Sequence, residues 1–208
     1  MINKKVNQKN LKFFREEFNR VIYFDGKYAA HLEQAVEMKM SSGAAKGSLY
    51  GIFPPHEEVN ALLDAEKLGK LTTEPKNVDF KYYFDADGKV ILIERFDPTS
   101  QYNDKLVNTI FVEYEKRRIN VLFCKGRTES ISTVAQCKLD LYGRLRAYLE
   151  CTCGVNGFPY VYTVMRLTHA ANSLTIRQSV YSIWQEGDET LMSERKFVLK
   201  NGKLRELN

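Results

Sequence analysis

The side chains best suited to nucleophilic or metal chemistry in this sequence are three histidines and four cysteines. Structural zinc is held by close cysteine pairs with two to four intervening residues, on turns that can wrap the metal. Cys151 and Cys153 enclose one residue inside a predicted strand, and only Cys137 and His169 could complete a set. In an extended strand the Cα atoms of Cys151 and Cys153 lie roughly 6.5–7 Å apart, at or beyond the reach of a disulfide. The cysteines therefore read as small hydrophobes that continue a face of Leu145, Ala147 and Leu149, with Cys124 and Cys137 also reduced and no metal expected. Hydrolytic chemistry finds no Gly-x-Ser-x-Gly elbow and no neighbouring Cys-His pair. His31 falls on the polar side of one predicted helix and His56 starts another; Glu16-Glu17 and Glu57-Glu58 read as solvated helix faces. No catalytic residue is nominated and no cofactor is expected.

Two further stretches invite ligands and are better explained as backbone devices. Asp85-Ala-Asp-Gly88 has the acids of a calcium loop, but the glycine and the closing acid an EF-hand needs at positions six and twelve are replaced by Val90 and Phe96. It is expected to be a hairpin turn with glycine in the left-handed region. Gly43-Ala-Ala-Lys-Gly-Ser48 has the letters of a phosphate loop in the wrong order and lies between two predicted helices, not between a strand and a helix.

A surface pattern carries more weight. Alternation in the last strands places Leu145, Ala147, Leu149 and Cys151, then Val161, Thr163, Met165 and Leu167, then Leu174, Ile176, Val180, Leu191, Phe197 and Leu199 on an expected core face. The expected outer face carries Arg146, Tyr148, Tyr160, Tyr162, Arg166, Arg177 and Tyr181, flanked by Arg144, Glu150, Met192, Glu194 and Lys196. Tyrosine and arginine supply contact area and directional donors at interfaces. Those seven residues are the candidate partner-binding site, unless the helices cover them.

The elements that must position this plate follow from a switch in hydrophobic period. Leu11, Phe14, Phe18 and Val21 recur every three or four residues and predict a helix over 8–21; a second is predicted from Lys27 to about Met40, and a third from His56 to about Leu68 behind Pro54-Pro55. After Asn77 the period becomes two. Strands are predicted at 80–85, 90–96, 107–115, 119–124, 130–139, 144–153, 160–167, 174–184 and 191–199. Glycine-bearing turns such as 85–88, 142–143 and 201–202 separate most of them, which favours antiparallel neighbours in sequence order. The expectation is an α+β fold in one compact domain. A helical region over 1–77 packs on a sheet region over 78–208 that curls around it or into a half-open barrel.

Tyr83-Phe-Asp-Ala-Asp-Gly-Lys-Val90 resembles the tyrosine–aspartate hairpin repeat of Rhs-type bacterial surface proteins, and Tyr142-Gly-Arg-Leu145 echoes it. The resemblance covers these hairpins alone and assigns no functional residue.

Composition narrows the class. The chain has 208 residues, 44% hydrophobic and 27% charged, enough to bury a core. Its longest charge-free stretch, Cys151 to Met165, contains Asn, Gly and Pro and is too short for a membrane helix. With no signal-peptide pattern over 1–14, a cytoplasmic protein is expected. The net charge of +5 is spread evenly, so nucleic acid is permitted without being indicated. These readings converge on a non-enzymatic bacterial protein that binds a protein partner, an immunity protein neutralising a toxin domain being the most concrete version. The alternatives are a small-molecule site or enzyme pocket between sheet and helices, and single-stranded nucleic acid stacked on the tyrosines.

Overall fold

The computed structural model describes residues 26–41, 79–96, 106–126, 130–153, 159–183 and 189–207. They form one helix, α1 (Lys27–Gln34), and eleven strands: β1 (Glu37–Ser41), β2 (Phe80–Phe84), β3 (Val90–Phe96), β4 (Leu106–Glu115), β5 (Arg118–Lys125), β6 (Ser130–Leu139), β7 (Leu145–Cys153), β8 (Pro159–Ala170), β9 (Ser173–Ile183), β10 (Glu189–Lys200) and β11 (Lys203–Leu207). All eleven make a single open antiparallel meander in sequence order. The nine predicted strands are all present. The α+β class is not: the described chain is nearly all sheet with one short helix, and the helices expected over 8–21 and 56–68 lie outside the described residues.

The correction is sharpest between Lys27 and Met40, where one helix was expected and two elements occur. Ala29 and Ala30 favour the helix, and Tyr28, His31 and Leu32 line one side of it at helical spacing. At Ala35 the backbone turns extended, with φ −74° and ψ 126°. The Val36 amide then donates to the Phe84 carbonyl at 2.8 Å, and residues 37–41 become an edge strand on β2. Helical spacing and the alternation Val36, Met38, Met40 coexist in this segment, and the open edge of β2 settles which prevails past Ala35. A second edge strand, β11, is added at the far end by a turn through Asn201 (φ 50°) and Gly202 (φ 71°).

The turns behave as their chemistry requires. In the β2–β3 hairpin the Asp85 Oδ1 accepts the Asp87 and Lys89 amides at 3.0 and 2.9 Å, and Gly88 has φ 74°. The β6–β7 hairpin repeats this: Asp140 Oδ1 accepts from Tyr142 and Arg144 at 2.8 and 2.9 Å, and Gly143 has φ 77°. An aspartate that hydrogen-bonds two residues ahead and a glycine in the left-handed region solve the same loop twice.

Both faces of the sheet are buried. One face carries α1 and the cluster of Leu92, Phe111, Leu122, Leu149, Tyr162 and Tyr181; the other carries Tyr82, Ile93, Val121, Tyr148, Met165 and Ile176. Each such side chain contributes about 1.5–3 kcal/mol of burial. Among the described residues no helix is long and apolar enough to cross a membrane.

Candidate functional site

On the helix-bearing face, strand register sorts the side chains into parallel cross-strand lines. The first is apolar: Leu92, Phe111, Leu122, Val134, Cys151, Tyr162 and Tyr181 stand directly opposite one another from β3 to β9. Two residues along, Glu113, Asn120, Gln136, Leu149, Val164, Ser179 and Glu194 form a mixed line. Two further along, Arg118, Lys138, Ala147, Arg166, Arg177 and Lys196 form a third. Five of those six are cations. At about 4.8 Å per strand they span about 24 Å.

The helix is tied to the apolar end. Tyr28 Oη donates to one oxygen of the buried Glu94 carboxylate, and Tyr83 Oη donates to the other at 2.7 Å. His31 packs its ring edge-on against Phe111, with centroids 5.3 Å apart, and its Nδ1 donates to the Lys27 carbonyl at 2.8 Å. His31 is therefore buried on the sheet-facing side of α1, not on a polar side. Lys27 pairs with Glu113. Glu94, His31 and both tyrosines are occupied in fastening α1, an anchor whose parts lie in three sequence segments.

The acids of the face sit towards the ends of the basic line. Glu115, opposite Arg118, accepts from Asn120 Nδ2 at 3.0 Å, and Asn120 Oδ1 accepts from Gln136 at 2.9 Å. Glu194 lies 3.6 Å from Arg177 Nε and accepts from Ser179 Oγ at 3.5 Å. Among the described residues, the side chains of Arg117, Arg118, Arg146 and Arg166 make no ion pair or hydrogen bond. These four arginines and Lys138 line a cleft of about 490 Å³ at the ends of β5 to β8, and no described lining residue is acidic.

The seven residues expected on one outer plate are divided by this geometry. Arg166 and Arg177 are exposed and directly opposite each other. Tyr162 and Tyr181 share their face but are buried, 0% and 6% exposed, and stack at 4.7 Å with planes 10° apart. Tyr148 is on the other face, 2% exposed, opposite Met165, and donates to Glu150. Arg146 stands on a bulge, because pairing steps from Lys138–Ala147 to Leu139–Leu145. Tyr160 belongs to β8, but its side chain lies outside the described residues. Strand β7 accounts for the division. Its register puts Leu149 and Cys151, not Tyr148, beside the tyrosines of β8, and alternation cannot reveal this when both faces of a strand are apolar. Lys196 stands at the flank of the expected plate, and Arg117, Arg118 and Lys138 were missed because a cation at a strand end is ordinary until register aligns it with others.

Cys124, Cys137 and Cys151 are free and buried, and the Cys153 side chain lies outside the described residues. Burial pushes the Cys124 thiol up to about 12, against a smaller opposing pull from Lys27. Cys137 and Cys151 sit on opposite faces, and His169 Nε2 donates to the Leu145 carbonyl at 2.7 Å. Among the described residues no three His, Cys, Asp or Glu side chains come together as metal ligands. Comparison with protein-family models, curated proteins and solved structures returns no match.

Proposed function

We propose that this chain is a non-enzymatic binding protein that docks an acidic protein surface onto the basic line of its helix-bearing face. One observation carries the reading: Arg118, Lys138, Arg166, Arg177 and Lys196 are set in a single cross-strand register line on a rigid sheet. Directly opposed like charges weaken a sheet. The chain nonetheless opposes Arg118 to Lys138 and Arg166 to Arg177, an arrangement that gains when a complementary surface arrives. The buried tyrosines lie four residues along the same face and pack its core; the arginines and lysines make the contact. An immunity protein that covers an acidic toxin domain in a bacterial cytoplasm, where buried thiols stay reduced, is the concrete form of the proposal.

Base stacking on Tyr162 and Tyr181 is disfavoured, since each ring is already covered by the other and by the core. The test is affinity capture from the source cells with the native chain and with the Arg177→Glu/Lys196→Glu variant. A partner of low isoelectric point that elutes with salt and is lost from the variant supports the proposal. Capture that the two reversals leave intact, or a captured nucleic acid, refutes it.

A further inference from the structure

The cleft at the ends of β5 to β8 differs from the rest of the basic line in three ways. It is concave, with about 490 Å³ of space, whereas Arg177 and Lys196 lie beyond it on β9 and β10. Its floor is Ala147, the one small residue in the line, set between Lys138 and Arg166 so that the two cations flank a notch. It also gathers side chains from both faces, because it sits at the strand ends. Leu139 and Leu167 of the opposite-face cluster line it together with Arg166, and Arg146 joins them from the bulge beside Ala147. Arg117, from the turn between β4 and β5, closes the same end.

Arg117, Arg118, Lys138, Arg146 and Arg166 line one hollow with no acidic side chain among its described lining residues, so like charges concentrate there in the empty protein. Four of the five are arginines, whose planar forks present paired N–H donors that match the oxygens of a phosphoryl group. Thr168 adds a hydroxyl at the rim. The hollow is far larger than a single tetrahedral oxyanion needs. Its cations approach from several strands and a turn, as a chain of phosphoryl groups requires. We infer that this cleft is a binding site for a condensed phosphate, two or three phosphoryl groups in a row, either free or as the tail of a nucleotide. The cleft shares Arg118, Lys138 and Arg166 with the proposed docking line, whose own test reverses Arg177 and Lys196 outside the cleft, so failure of one reading is distinguishable from failure of the other.

Titration calorimetry of the full chain with inorganic tripolyphosphate tests the site, with sulfate and a magnesium-free nucleoside triphosphate as the other arms. One saturable site is expected. Arg146→Ala and Arg117→Ala should each weaken it by about tenfold or more, the loss of a charged hydrogen-bonding partner. Lys196→Ala, in the same line but outside the cleft, should stay within about twofold of the native chain. Thermal melts of the same proteins check that all are folded, and the exposed substitutions leave the fold intact. Equal affinity for tripolyphosphate and the nucleotide, with sulfate much weaker, assigns the site to the phosphate chain. The inference is overturned by absent saturation, by sulfate binding as tightly as tripolyphosphate, by a nucleotide that binds when tripolyphosphate does not, or by Lys196→Ala weakening binding as much as Arg146→Ala.

Discussion

Replacing Arg166 with glutamine should make this protein more stable, and the size of the gain can be worked from the sheet. Arg166 faces Arg177 directly across β8 and β9, and among the described residues its side chain has no ion pair or hydrogen bond. Cross-strand partners have Cβ atoms about 5 Å apart, and exposed guanidinium groups splay to about 6 Å, where two unit charges in water repel by about 0.7 kcal/mol. Lys138, one strand further away across Ala147, and Arg146, at the bulge of the adjacent strand, add a smaller share. Rotamer freedom and counterions relieve part of this, so Arg166→Gln should gain about 0.5 kcal/mol near 10 mM salt. Glutamine keeps part of the stem that covers Ala147, which limits the packing loss. The gain should vanish by about 1 M salt, where the screening length falls to about 3 Å. Urea unfolding at the two ionic strengths, with an unchanged slope against denaturant, measures it; in a thermal melt the shift is about 1–2 °C. Arg177→Gln is the contrast. Arg177 already lies 3.6 Å from Glu194, so its neutralisation should bring no comparable gain. A loss of more than about 1 kcal/mol in Arg166→Gln, or a gain that survives 1 M salt, would refute the claim that the line is held against its own repulsion.

Other outcomes follow from the same sheet. Tyr162→Ala should cost about 3–5 kcal/mol in urea unfolding, of which about 0.5–1.5 is the stack on Tyr181, because the ring is fully buried; a cost near zero would mean the ring is a surface group. Gly143→Ala meets no atom within 4 Å, so its cost is backbone strain at φ 77°, about 1–2 kcal/mol, and Gly143→Asn should recover part of it. The hydrogen bond from Arg195 holds the Glu206 carboxyl below its ordinary value. A carboxylate lowered in the folded state contributes stability that is complete above the unfolded value of about 4.3 and is lost as pH falls through the folded one. Glu206→Gln should therefore flatten the acid limb of the stability curve, and an unchanged limb would show that the Arg195 pair contributes nothing.

Much of the site was legible in its members and little in its arrangement. Arg146, Arg166 and Arg177 were nominated from alternation alone, and all three are exposed on or beside the basic line. Tyr148 was assigned to the same plate because it stands two residues from Arg146. The bulge breaks that inference, since an extra residue in a strand reverses the side to which everything beyond it points. His31 looked solvated because its helix is mostly polar, yet the ring packs on Phe111 from a strand eighty residues away in sequence.

By itself the sequence determined what local chemistry can decide. A period of two after Asn77 and the glycine and aspartate turns were enough to place nine strands in an antiparallel meander, since the residues that make a turn lie within the turn. Other outcomes depended on partners distant in the chain. The segment after Ala35 left its helix because Phe84 offered a free carbonyl, and the sheet gained a strand where none was expected. Which face each tyrosine occupies was settled by bulges and register, because strands apolar on both sides satisfy either choice equally. The alignment of Arg118, Lys138, Arg166, Arg177 and Lys196 was settled in the same way: five cations scattered over eighty residues meet only when six strands lock into one ladder, and charge alone, which repels, would never have brought them together.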